Sequence, residues 1–184
     1  DKNYAVQLRS GKIKFKIPGM PGEDFPPLPS AGSTAFVEFE AGTLSQLIAL
    51  TQYSMSTDDT RPHLAGTLFE CDGTRVRMVT TDGHRLSKAE AVIDAGGTSF
   101  GMLVPGKGVA ELKRVLEDVR SDKSRGVAAA IDGKITAPEK ATVGVATVGG
   151  NAFFRGQDVV LSVKLADESF PPYAKVIPQS HQRR

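Results

Sequence analysis

The chain has 184 residues, 40% of them hydrophobic, with 23 lysines and arginines against 21 aspartates and glutamates and a formal net charge of +2. This excludes a disordered tail and supports one full domain with chain to spare, while the mild charge and a pI near 8.7 permit a polyanionic partner without demanding one. A single cysteine, Cys71, excludes an intrachain disulfide, and no Cys or His pair has zinc-site spacing, so no metal or other cofactor is expected.

The lone cysteine suits a reducing, cytoplasmic setting, and no apolar run approaches the length of a membrane span. The opening residues DKNYAVQLRS lack a start methionine and a signal-peptide core, so the chain reads as a piece of something longer.

Residues 4–17, YAVQLRSGKIKFKI, alternate apolar and polar around Ser10-Gly11, with Tyr4, Val6 and Leu8 on one arm and Ile13, Phe15 and Ile17 on the other. The pattern predicts a hairpin. PGMPGEDFPPLP, residues 18–29, is too rich in proline for a helix or a central strand and reads as a connector.

Two segments carry helical periodicity. In TLSQLIALTQYS, Leu44, Leu47, Ile48 and Thr51 share a face, and Thr43 with Gln46 three residues on has the form of a capping box. In KGVAELKRVLEDVRSD, the stripe is Val109, Leu112, Leu116 and Val119, with Pro105-Gly106 as the boundary signal. Elsewhere β-branched and apolar runs flank turn dipeptides at Asp72-Gly73, Asp132-Gly133 and Gly149-Gly150. The fold class is α+β, with two amphipathic helices packed on antiparallel sheets.

FEAGTLSQLIAL and VPGKGVAELKRVL superpose at an offset of 65, Phe39 on Val104, Leu44 on Val109 and Leu47 on Leu112, either as an internally duplicated strand-helix-strands unit or as a chance match of amphipathic patterns. EDFPP at Phe25 returns as ESFPP at Phe170, an offset of 145 that Gly11 and Gly156 share. The second recurrence implies that residues 1–32 end one copy and 33–178 form the next, with 179–184 starting a linker.

The stretch TTDGHRLSKA, residues 80–89, poses the functional question. Asp-Gly in a strand context makes a turn, but an imidazole, a guanidinium and a leucine follow at once, so the stretch is either a hairpin tip or a docking site. The prolines of FPPY, residues 170–173, either stiffen a connector or belong to the same site.

With DFPPLP at 24–29, QYSMSTDDTRPHLAGTLFE at 52–70, VTTDGHRLS at 79–87, VPGKGVAELKRVL at 104–116 and KLADESFPPYAKVIP at 164–178, the chain resembles the bacterial DNA polymerase III beta sliding clamps over nearly its whole length. The resemblance implies the DNA-clamp fold, a ring-shaped homodimer of three-domain subunits, and a middle domain here, preceded by the end of the first and lacking the third. It also implies double-stranded DNA as a sequence-independent partner, with the replicative polymerase, clamp loader and repair proteins bound through short linear motifs.

The positions matching the family's peptide groove are Leu64, Thr81, Gly83, His84, Arg85, Leu86, Pro171, Lys175 and Val176. Their chemistry suits an extended peptide: Leu64, Leu86, Pro171 and Val176 can form an apolar cup, Gly83 can let a backbone approach, and His84 and Arg85 can offer donors. Lys175 stands where some relatives carry arginine.

Toward DNA, a sliding protein needs cations near phosphates, not base readers. Candidates are Lys107, Lys113 and Arg114, with Arg120, Lys123 and Arg125 beyond, interleaved with Glu111, Glu117, Asp118 and Asp122. In the loop STDDTRPH, Arg61 and His63 are candidates, opposed by Asp58 and Asp59.

Asp82, His84 and Cys71 invite a hydrolase reading, but the sequence has no nucleophile elbow, phosphate loop or metal motif, so catalysis is not expected. The remaining alternative is a β-rich peptide-binding module unrelated to DNA encirclement.

Overall fold

The computed structural model describes residues 4–58, 60–121, 130–131, 134–135 and 140–178. The chain divides into two compact units, Asp1–Ser30 and Ala31–Arg184. In the first, strands β1 (Val6–Ser10) and β2 (Ile13–Ile17) pair antiparallel, with Val6 opposite Ile17 and Leu8 opposite Phe15. Ser10 pairs with Ile13, so the turn holds Gly11 and Lys12, one residue later than the sequence suggests. Val6, Leu8, Ile13, Phe15 and Ile17 share a face as period-two alternation requires, and that face is about half exposed, whereas Tyr4 precedes β1 with φ +55°. A three-residue 3-10 turn, Gly22–Asp24, sits among the prolines.

The second unit runs β3 (Val37–Glu40), α1 (Ala41–Thr51), β4 (Gly66–Asp72), β5 (Arg75–Thr81), β6 (Leu86–Val92), β7 (Ser99–Pro105), α2 (Gly106–Ser121), β8 (Ala130–Ile131), β9 (Lys134–Ile135), β10 (Thr142–Val148), β11 (Asn151–Arg155) and β12 (Val160–Lys164). Two four-stranded antiparallel sheets have the orders β6-β5-β4-β7 and β12-β11-β10-β3, and β8 pairs with β9. Each half is a strand, a helix and then hairpins, and the halves exchange first strands: β3 pairs with β10 of the second half and β7 with β4 of the first.

The offset of 65 carries Ala41, the first residue of α1, onto Gly106, the first of α2. All three matched pairs are buried. The helix starts are satisfied alike, by Ala41 N–H donating to Ala141 O (2.8 Å) and Gly106 N–H to Ala65 O (2.9 Å), each acceptor just before the strand beside it. This overturns the expected capping box. α1 begins two residues before Thr43, its N-cap is Glu40, and no side chain caps it, because the neighbouring backbone already takes an orphan amide.

Both helical stripes bury as predicted, along with Phe69, Val76 and Met78 from one sheet and Val143, Val145 and Phe154 from the other. Phe39, Phe69 and Phe100 meet edge to face with centroids 5.5–6.2 Å apart. Gly149-Gly150 forms the β10–β11 turn with positive φ at both residues, the geometry a two-residue hairpin needs. The Asp72-Gly73 turn also forms, whereas Asp132-Gly133 lies outside the described residues, as do Asp59, Asp122, Lys123 and Arg125.

The offset of 145 maps β1 onto β11 and Gly11 onto Gly156. Its return arm slips by two residues, since four residues, 156–159, connect β11 to β12 where two connect β1 to β2.

Candidate functional site

Register builds the site on the outward face of the β6-β5-β4-β7 sheet. Leu68 pairs with Val79 and Glu70 with Arg77, while Thr81 pairs with Leu86, so each pair lies side by side on one face. Toward the β5–β6 turn this face carries Leu86 and Val79 beside Thr81; away from it, Lys88, Glu70, Arg77 and Glu90 make it charged. The opposite face enters the core, where Thr80 Oγ donates to Thr51 O (2.6 Å) and Ser87 Oγ meets Ser54 Oγ (2.5 Å). The end of α1 and the chain after it are thereby tied to the two strands that carry the turn.

The turn is held by its own side chains. Asp82 Oδ1 accepts the backbone N–H groups of His84 (2.9 Å) and Arg85 (3.0 Å), and Arg85 Nε donates to Asp82 Oδ2 (3.0 Å). Those two amides and then the guanidinium hold the Asp82 carboxyl at about 2, well below its ordinary value. Thr81 Oγ donates to Arg85 O (2.8 Å) and accepts from Gly83 N–H (3.1 Å). Gly83 has φ +91°, which favours glycine whatever comes near it.

Across from the turn, the chain after β12 closes the other side. Residues Tyr173–Lys175 form a 3-10 turn, and Tyr173 Oη donates to Glu70 Oε2 (2.7 Å). Burial, and then the bond to this carboxylate, raise the phenol above its ordinary value.

Between turn and strap lies a cleft of about 610 Å³ lined by His63, Leu64, Thr81, Gly83, His84, Arg85, Leu86, Pro171, Pro172, Tyr173, Lys175 and Val176. All nine residues expected in a peptide groove line it. They come from three stretches, around 64, 81–86 and 171–176. Leu64 is buried at its base, Leu86 half-buried, and Val176 exposed at its lip.

Pro172 and Tyr173 also line the cleft and were not among the expected residues. They follow Pro171 in the same FPPY block, and a 3-10 turn brings successive residues to one side where a strand would alternate them. His63, expected toward DNA, lines this cleft as well and approaches Glu168 (3.9 Å). Arg61 pairs with Asp58 (2.9 Å), and its Nη1 would lie 3.8 Å from a Cβ added at Gly83.

Lys107, Lys113 and Arg114 are exposed on α2, with Arg114 bonded to Glu111 (2.9 Å). Cys71 is buried in the core, and Asp82 and His84 lie in the turn between β5 and β6. No cluster of metal-ligating side chains occurs among the described residues.

Residues 38–172 match the family model for the DNA polymerase III beta subunit, central domain. The chain belongs to this beta sliding clamp family. It is 35% identical over 176 residues to the beta sliding clamp of Vibrio cholerae, covering 95% of this chain and 42% of that protein. With the pol III beta of Caulobacter crescentus the identity is 28% and the TM-score 0.76, over 97% of this chain and 44% of that one. With the Pseudomonas aeruginosa clamp, solved bound to griselimycin, the values are 25% and 0.72, over 96% and 42%.

The chain thus spans about two fifths of the length of the curated clamps it matches. Beta sliding clamps are non-catalytic, and this membership displaces the hydrolase reading.

Proposed function

We propose that this chain is the peptide-docking part of a sliding clamp: the full-length protein encircles duplex DNA as a ring-shaped homodimer, and this cleft tethers polymerase, clamp loader and repair proteins. What supports the reading is that nine positions from three stretches far apart in sequence line one cleft with an apolar floor and a polar rim. Residues 33–178 act as the middle clamp domain, residues 1–32 as the end of the first and 179–184 as the start of a linker. The setting is cytoplasmic. No helix among the described residues is long and apolar enough to cross a membrane.

An extended peptide with a glutamine, then a leucine and a terminal phenylalanine would seat its apolar ends against Leu64, Leu86, Pro171 and Val176. Each anchor desolvated contributes about 1.5–3 kcal/mol, which for a few anchors gives micromolar, exchangeable binding. Thr81, Gly83, His84, Arg85 and Lys175 supply the rim. Lys107, Lys113 and Arg114 face the duplex phosphates, with Arg61 and His63 near its exit; phosphate contact without base readout leaves the ring free to move.

The test is a fluorescence titration of such a peptide into the full-length protein. Leu86→Asp and Val176→Asp each place a charge against the apolar wall and are expected to abolish binding while the thermal transition stays in place. Unchanged affinity in both variants removes the site.

A further inference from the structure

The wall formed by residues 170–176 has space on both sides. Pro171, Pro172 and Tyr173 line the peptide cleft on one side and, on the other, a second cleft of about 470 Å³ floored by Leu68, Met102 and Leu103. Pro172, Ala174, Lys175 and Val176 of this strip are exposed, so their side chains do little to fix its height above the sheet. Among the described residues its backbone hydrogen bonds stay within it: Tyr173 N–H to Pro171 O, Lys175 N–H to Pro172 O, and Val176 N–H to Tyr173 O. The Tyr173–Glu70 bond joins this strip to the sheet by a side chain, and the Arg77 guanidinium of the neighbouring strand also lies beside the phenol.

Glu70 is itself held in place. It faces Arg77 across the β4–β5 ladder, and Arg77 lies 3.8 Å from Glu70 Oε2, 2.9 Å from Asp72 Oδ2 and 3.6 Å from Glu90 Oε2. Arg77 makes its hydrogen bond to Asp72, and its approach to Glu70 is an ion pair that favours the charged acceptor at this place on the sheet. The Tyr173 ring is backed edge to face by Phe170, centroids 6.4 Å apart.

We infer that Tyr173 and Glu70 are positioning residues for peptide docking: their hydrogen bond, anchored by Arg77, pins the Pro171–Val176 wall at the height at which the cleft accepts an apolar side chain. The inference rests on the cleft being the peptide site. A hydrogen bond to a charged acceptor that is lost on one side leaves the wall free to sample other heights, and binding then costs the ordering that the bond supplied beforehand.

In the full-length protein, Tyr173→Phe and Glu70→Leu are each expected to weaken binding of the fluorescent glutamine-leucine-phenylalanine peptide about tenfold, and the double variant no further, since both remove one interaction. Glu70→Gln keeps an acceptor and is expected to restore most of the affinity. Hydrogen exchange, read without peptide, should quicken at the Lys175 and Val176 amides in Tyr173→Phe while the core strands stay protected.

If Leu86→Asp abolishes binding but Tyr173→Phe and Glu70→Leu bind like the parent, or their losses add in the double variant, the inference fails and the cleft reading stands. If peptide binding is unchanged in both Leu86→Asp and Val176→Asp, the cleft reading and the inference fail together.

Discussion

At the scale of single residues, the cleft's rim depends on Asp82, a carboxylate that is not among the residues lining the cleft. Asp82 accepts two backbone amides and a guanidinium, so protonating it would release the turn that presents His84, Arg85 and Leu86. Its folded value, about 2, lies below the unfolded one near 3.8. The contribution is therefore fully present above the ordinary carboxylate range and lost as pH falls through about 2. An NMR titration should show the His84 and Arg85 amides shifting with a midpoint near 2; a midpoint near 4 would mean that the turn does not hold its aspartate. The sequence gives Asp-Gly as a turn signal, but which carboxylate oxygen takes which amide depends on the turn's closure and cannot be read from a dipeptide.

Among the elements, the helices and most hairpins were legible because periodicity and turn chemistry are local. Leu44, Leu47 and Ile48 are buried on one face of α1 as their spacing requires, and Gly149-Gly150 turns where two positive φ angles are needed. The capping box at Thr43 failed because a tertiary partner, Ala141 O, satisfies the helix start and nothing near Thr43 announces it. Tyr173 escaped notice for a related reason: its value to the site lies in a bond to Glu70, 103 residues away in sequence.

Phe69 offers a test of the packing that carries these elements. It is fully buried and meets Phe39 and Phe100 edge to face, so it joins β4 to β3 and β7. Phe69→Ala should cost about 3–5 kcal/mol in chemical denaturation. A loss below about 1 kcal/mol would show that this cluster does not join the two sheets.

For the whole molecule, the exchange of first strands between the two halves was beyond the sequence, because β3 pairs with β10 between residues as far apart as Val37 and Val145. The offset of 65 pointed to two similar units but not to their interlocking. The assembly reading rests on family membership, since the chain spans about two fifths of the clamps it resembles. If α2 faces the duplex, Lys107→Glu with Lys113→Glu in the full-length protein should weaken DNA association and flatten its dependence on log salt by roughly one to two units of slope. An unchanged slope would place those lysines away from phosphate.

The most direct measurement of the central claim is retention of the full-length protein, once loaded, on closed circular duplex compared with the same DNA cut once. A clamp that holds DNA by enclosing it stays on the circle and leaves through the ends of the linear form. Equal lifetimes on the two would contradict encirclement and leave only surface binding.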